Sequence, residues 1–333
     1  MTDYMNYFGG AMKLKLIIVA LSIFAACPPL YSQSFPNKPI ELVVSSSPGG
    51  GVDLIFRLIA EELAKNLKTQ INVANQTAGA GAIAAEKVAA ARKDGYTLLG
   101  TLLGQVATMS VANPKAPANL LRDFQPIAIL HGYAAVIMLG RADSDIKTLK
   151  DLVAQAQKKP GDLIVAVGPP GTSLTLEVEL LKRAAKVDIT SLPFAGSAQG
   201  ITNLLGGHVN FAMASDVAAQ PHIKAGKLVG IAVDVESAVL PDVPTFAKQG
   251  YPQVNLLASV AFLGPKGLPD ATAKILTDVI KKTAEEPKLK ENLKSRGYNV
   301  DIRTASADMN ALVKEEIDKY SRFTPEDLGW KAQ

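Results

Sequence analysis

"VVSSSPGGGVDLIFRLIAEEL", residues 43–63, joins an apolar run to a helical pattern through three serines, a proline and three consecutive glycines. On the helical side Leu54, Ile55, Leu58, Ile59, Leu63 and Leu67 recur at spacings of three and four, while Arg57, Glu61, Glu62 and Lys65 fall elsewhere. That is a helix from about 52 to 67 laid on a sheet by one face. Just upstream, "IELVV" (40–44) is short and β-branched, as a buried strand should be. A strand ending in a glycine-rich turn before a helix exposes backbone N–H groups at the positive end of the helix, with no side chains in the way. The turn therefore reads as an anion cradle. A plain tight turn is the alternative, but it needs only one left-handed glycine.

The same grammar continues along the chain. "INVA" (71–74) precedes a helix over 82–91, and "YTLLG" (96–100) precedes another helical stretch. "DLIVAVG" (162–168) leads to a helix over 174–185 and "ITSLPF" (189–194) to one over 198–205, before the strands "VNFAMA" (209–214) and "LVGIAV" (228–233). Alternation of this kind builds parallel βαβ units. Between "FQPIAIL" (124–130) and "AAVIMLG" (134–140) the chain crosses into a second set of units, and near "LPDVPTFAKQGYP" (240–252) it returns. The last third is helical over 271–285, 287–295 and 307–323, with a strand "YNVDI" (298–302) between the last two. The expected architecture is α/β, with two lobes that are each a mostly parallel sheet flanked by helices. The first lobe takes 35–133 and 253–333, the second takes 134–252, and a cleft opens at their switch points.

Three more glycine turns sit at strand-to-helix junctions: "NQTAGAGAIAAE" (75–86), "VGPPGTSLTLEVE" (167–179) and "LPFAGSAQGITNLLGG" (192–207). With the first turn they place two cradles in each lobe. None of the stretches 44–56, 75–86, 167–181 and 193–210 contains Lys or Arg. An anion there must be met by backbone N–H groups, hydroxyls and helix dipoles.

Composition narrows the function classes. The 333 residues are 48% hydrophobic and 20% charged, which excludes a disordered chain. The formal net charge is +4, with both signs interspersed, so nucleic acid is a poor partner. "MKLKLIIVALSIFAAC" (12–27) sets Lys13 and Lys15 before a short apolar stretch, the mark of a secretory signal peptide over 1–32. Met12 reads as the true start, with 1–11 upstream of it. Cleavage before Gln33 competes with a lipobox-like site at Cys27, which would make a lipoprotein. Cys27 is the only cysteine, so cleavage before Gln33 leaves none for a disulfide or a thiolate metal site. The mature protein is expected to be exported, soluble and monomeric, with no metal and no cofactor.

Catalytic and nucleotide signatures are absent. Gly51 is followed by Val52 and Asp53 where a Walker A loop needs Lys and Ser or Thr, and "GAG" (79–81) falls short of the dinucleotide fingerprint. His131, His208 and His222 are the only histidines, and no serine lies in a nucleophile elbow. Glu177 and Glu179, two apart on one helix, cannot face each other as an acid/base pair. Asp53 suits the first turn of its helix whether or not it meets a ligand. Asp216, after Ser215, reads equally as a helix cap or as a group at the cleft edge.

At these motifs the sequence resembles the Bug family, the extracytoplasmic receptors of tripartite tricarboxylate transporters. "FPNKPIELVVSSSPGGGVD", "ANQTAGAGAIAAEKVA", "PGTSLTLEVELLK", "VDITSLPFAGSAQGITNLLGGHVNFAMAS" and "FLGPKGLP" carry the likeness, which covers about 35–325. It implies a type II-like Venus flytrap in the periplasm that is not an enzyme. Such a receptor captures a small organic acid in the interlobe cleft and delivers it to a membrane permease of two subunits. A receptor feeding a sensor kinase, or an α/β enzyme acting on an anion, are the alternatives. The ligand residues carried over by motif are Gly49, Gly50, Gly51 and Asp53 in the first loop and Ala80, Gly81 and Ala82 in the second. Thr172 and Ser173 follow in the third, Gly196 and Ser197 in the fourth, and Ser215 in the fifth, with Asp216 beside it. The chain departs from the family pattern at Ser46 (usually aromatic), Val52 (Thr), Thr175 (His), Ala214 (Asp) and Ser259 (Trp). Ser46 and Ser259 should widen and wet the pocket, and Asp216 should accept a hydroxyl or ammonium from the ligand.

Overall fold

Strands rich in Val, Ile and Leu assemble into two separate sheets, both within the unit Lys38–Gln333. The computed structural model describes residues 35–113, 115–132, 134–298, 301–321, 323–324 and 328. The signal peptide expected over 1–32 and Cys27 lie outside the described residues.

The first sheet has the order β11-β4-β10-β3-β1-β2. Its strands are β1 (Ile40–Val44), β2 (Ile71–Asn75), β3 (Thr97–Leu102), β4 (Phe124–Leu130), β10 (Val260–Pro265) and β11 (Ile302–Arg303). β1 pairs parallel with β2 and β3, placing Val43 opposite Ala74 and Leu99, whereas β10 runs antiparallel between β3 and β4. The second sheet has the order β7-β6-β8-β5-β9, built from β5 (Val136–Arg141), β6 (Ile164–Val167), β7 (Thr190–Pro193), β8 (Phe211–Ser215) and β9 (Leu228–Val233). Here β6 runs parallel to β7 and β8, while β5 is antiparallel to β8 and β9.

Of the three reversed strands, β5, β10 and the short β11, the first two have one cause. Each is the first strand after a passage from one sheet to the other. β1, β3, β6 and β8 all finish at the cleft, so a chain that crosses there enters the next sheet from the cleft side and runs away from it. The crossings thus lie directly behind the loops that carry the glycines.

Helix α1 (Gly51–Leu67) covers the first sheet with Ile55, Phe56, Ile59, Leu63 and Leu67 fully or nearly buried. Leu54, expected on that face, is exposed. Phe56 takes the inward position and packs edge-on against Phe262, with centroids 4.8 Å apart at 85°. Gly100 in β3 makes room, since a Cβ there would sit 3.1 Å from the Phe56 ring. Helices α2 (Ala82–Ala89), α3 (Leu103–Ala112), α9 (Asp270–Glu285), α10 (Pro287–Ser295) and α11 (Ser306–Ser321) also belong with this sheet, and the short α4 (Leu120–Asp123) precedes β4. Around the second sheet lie α5 (Leu149–Lys158), α6 (Ser173–Ala185), α7 (Ser197–Leu205) and α8 (Asp216–Lys224). The sequence pattern did not disclose α8, because Pro221 stands inside it. It missed α5 as well, which Thr148 caps by accepting the Asp151 N–H at 3.1 Å.

Candidate functional site

Three of the four glycine loops meet in a cleft with about 620 Å³ of empty space. Its walls come from β1–α1 (Ser45, Ser46, Ser47, Gly50, Gly51, Val52), from β3–α3 (Leu102, Gln105), from β6–α6 (Pro169, Thr172, Ser173, Leu174), from β7–α7 (Ala195, Gly196, Ser197) and from Ser215. The crossing residues Ala134, Ala135 and Val136 form its back. Among the described residues no Asp, Glu, Lys, Arg or His lines it.

Three helices start here without a side-chain cap. In the first loop Gly49 N–H donates to Asp53 Oδ2 (2.9 Å), Gly50 N–H to the Ser47 carbonyl (3.2 Å), and Leu54 N–H makes the first helical bond to Gly50 (2.9 Å). The amides of Gly51 and Val52 therefore have no intrahelical acceptor, and both residues line the cleft. At α6 the Thr172 hydroxyl donates back to the Pro169 carbonyl (2.8 Å) instead of capping, so Ser173 and Leu174 present open N–H groups in the same way. At α7 the N-cap is Gly196, which has no side chain to cap with. Ser197 Oγ accepts the Ser215 N–H (3.0 Å), which leaves its proton to donate elsewhere. By contrast α8 is capped: Ser215 Oγ accepts the Ala218 N–H (3.4 Å), and the Asp216 N–H is spent on the Ala135 carbonyl (2.9 Å). Ser46 Oγ is buried with no hydrogen-bond partner.

Of the residues expected from sequence, Ser46, Gly50, Gly51, Thr172, Ser173, Gly196, Ser197 and Ser215 come together in this cleft. The others do not line it. Ala80 borders an adjoining recess with Ser45, Pro169 and Ala195. Gly81 lies behind Gln105, and Ala82 begins α2 outside both spaces. Gly49 stands in the turn above Asp53, whose carboxylate accepts Arg57 Nε (2.9 Å), Asn75 Nδ2 (2.8 Å) and the Gly49 N–H. Burial pushes the Asp53 carboxyl up, but those hydrogen bonds outweigh it and hold the group below its ordinary value. Asp53 is thus a strut that shapes the loop. Ser259 also lies outside the cleft, in a small space of about 180 Å³ behind Leu102 and Gln105, where its hydroxyl meets His131 Nδ1 at 3.0 Å.

Asp216 lines a second cavity, with about 960 Å³ of empty space, on the other side of Ala134 and Ala135. Burial raises its carboxyl to about 6, although Ser237 Oγ (2.6 Å) and the Val217 N–H (2.8 Å) both donate to it. Close by, Glu177 of α6 and Asp234, which follows β9, are both buried. Asp234 Oδ1 accepts the Val136 N–H (2.8 Å) at the other crossing. Burial first, and the charge of Asp234 second, push Glu177 well above its ordinary value, while burial raises Asp234 to about 7. Both Glu177 oxygens and Asp234 Oδ2 lack a hydrogen-bond partner among the described residues, and a proton shared between the two neighbouring carboxyls would supply the missing bond.

Reading the sequence missed Ser45, Ser47, Gln105 and the crossing alanines. The available signal was Gln105, a polar residue in the otherwise apolar or small "TLLGQVATM" (101–109).

A model of the tripartite tricarboxylate transporter family receptor matches residues 55–327. The UPF0065 protein in the tcbD-tcbE intergenic region of Pseudomonas sp. (strain P51) is 30% identical over 299 residues, spanning 88% of this chain and 87% of that one. Among solved structures, MatC (Rpa3494) from Rhodopseudomonas palustris with bound malate is 28% identical, covers 88% of this chain and 100% of its own, and superposes with a TM-score of 0.80. Rpa4515 of R. palustris with adipate is 26% identical, covers 89% and 98%, and gives a TM-score of 0.81.

Proposed function

Since the chain belongs to the tripartite tricarboxylate transporter receptor family, we propose that it captures a small carboxylic acid in the cleft, without turning it over, and hands it to a two-subunit membrane permease. The observation that carries this reading is the convergence of three uncapped helix N-termini on a cavity whose described lining residues include no Asp, Glu, Lys, Arg or His. A carboxylate offers about four acceptor positions. The open amides of Gly51, Val52, Ser173 and Leu174, with the Ser46 and Ser197 hydroxyls, can fill them. Each hydrogen bond to a charged group contributes about 1.5 to 3 kcal/mol, so micromolar affinity, about 8 kcal/mol, is within reach without a salt bridge. Malate and adipate in the two R. palustris proteins favour a short-chain dicarboxylic acid as ligand class. The unpartnered Ser46 Oγ adds a polar contact where the family pattern has an aromatic, which favours a hydroxylated acid.

The two sheets are proposed as lobes, 35–133 with 253–333 and 134–252, that hinge at 131–135 and 234–259 around the ligand. Export through the segment 1–32, a periplasmic location and a monomeric mature protein complete the proposal. A melting-temperature screen with C3 to C6 mono- and dicarboxylic acids, followed by calorimetry on the best binder, tests it. Ser46→Ala, which removes a hydroxyl with no partner of its own, should weaken that acid by about 10- to 150-fold, in line with one charged-group hydrogen bond of about 1.5 to 3 kcal/mol. Unchanged affinity in Ser46→Ala, or no acid that raises the melting temperature, sinks the reading.

A further inference from the structure

We propose that Gln105 is a ligand-binding residue of the cleft, donating one side-chain N–H to the acid's carboxylate; the proposal rests on the carboxylate reading above. Gln105 stands in the first turn of α3, lines the cleft and is 4% exposed. Its amide has only one workable orientation. Oε1 lies 2.8 Å from Ser45 Oγ and 3.2 Å from Thr101 Oγ1, both hydroxyl donors, while Nε2 donates to the Ala80 carbonyl. Reversal would set an oxygen against the Ala80 carbonyl and lose that bond.

Nε2 carries two hydrogens. Ala80 takes one, and among the described residues no hydrogen bond claims the other. A buried amide hydrogen with no acceptor, on a residue that borders a cavity built for anions, is a donor held ready for a ligand. The carbonyl it grips is unusual as well. Gly79, Ala80 and Gly81 are all left-handed (φ 61°, 54° and 86°), and a Cβ on Gly81 would come within 2.7 Å of Nε2. The second glycine loop is therefore wound tightly around this amide. Its function is to aim Gln105, which accounts for Ala80 and Gly81 lying outside the cleft while standing in a loop the family shares.

The test combines affinity with a spectroscopic readout. Malate and adipate are titrated by calorimetry into the wild type and into Gln105→Met, which keeps the length of the side chain and removes its donors. The variant should lose about 10- to 100-fold in affinity, and Gln105→Glu, which turns a carboxylate toward the acid, should lose more. In a ¹⁵N spectrum the Gln105 side-chain amide pair, identified by its disappearance in either variant, should respond asymmetrically when the acid binds. One proton should move strongly and the proton held by Ala80 little, which a purely structural strut would not produce. Acid binding with both amide protons unmoved, or Gln105→Met within twofold of wild type, overturns the proposal. Failure of both acids to bind the wild type overturns the carboxylate reading for them, and this proposal with it.

Discussion

Ala134 and Ala135 separate two cavities of opposite character. In front is the cleft, whose described wall residues include no Asp, Glu, Lys, Arg or His; behind is a larger space bordered by Asp216, Glu236, Lys294 and Tyr298. Side-chain charge alone would put a charged ligand at the back. Hydrogen-bond accounting reverses that choice. The back cavity's acids are already served, Asp216 by Ser237 and Val217 and Glu236 by Lys248 at 2.8 Å, and its one cation among the described residues, Lys294, shares the space with both carboxylates, which repel an anionic ligand. In the cleft the helix amides and one serine hydroxyl remain unspent. Recognition capacity follows unsatisfied donors, and a neutral wall leaves the ligand's charge free to select them.

Giving the cleft a charge of its own should have the largest effect. Ser173→Asp seats a carboxylate at the N-terminus of α6, where the helix dipole favours it by about 0.3 to 1 kcal/mol. The variant should melt no lower than wild type yet bind the wild type's acid at least about 100-fold more weakly, roughly 2.7 kcal/mol. Calorimetry paired with a melting curve decides, and retained affinity would mean that the anion sits elsewhere.

A smaller effect concerns the acids behind the crossings. Asp234 ionises freely at its ordinary 3.8 when unfolded but only at about 7 when folded. The unfolded chain thus sheds its proton first, and the stability due to this group is complete below about 4 and lost as pH rises through about 7. Asp234→Asn keeps an oxygen for the Val136 N–H and offers Glu177 a donor that never titrates. Its melting temperature relative to wild type should therefore climb between pH 4 and pH 8, toward an advantage of about 1 to 3 kcal/mol. A pH-independent offset would rule out the shared proton.

The smallest expected change is none. Asp216→Asn alters the back cavity alone, so acids bound in the cleft should keep their affinity within twofold by calorimetry. A selective loss for hydroxylated acids would restore Asp216 to the site.

Local chemistry made much of this legible. The alternation of β-branched runs with amphipathic helices announced two sheets of α/β type, and glycines before each helix marked Gly50, Gly51, Thr172, Ser173, Gly196 and Ser197, which do share one cavity. Asp53 could not be assigned in this way, because its partners Arg57 and Asn75 are four and 22 residues away and only the fold closes that triangle.

What the sequence determined by itself is therefore what depends on neighbours in the chain: strand and helix periods, turns that leave amides bare, and the absence of Lys and Arg from the four glycine turns. What only the tertiary structure decided depends on distant pairings. Gln105 meets Ser45 from 60 residues away, Glu177 meets Asp234 across the crossings, and Asp216 turns to the far side of Ala135 because its amide bonds that carbonyl. The physical reason is that a backbone conformation is set within a few residues, whereas a polar group's role is fixed by whichever partner burial brings within about 3 Å.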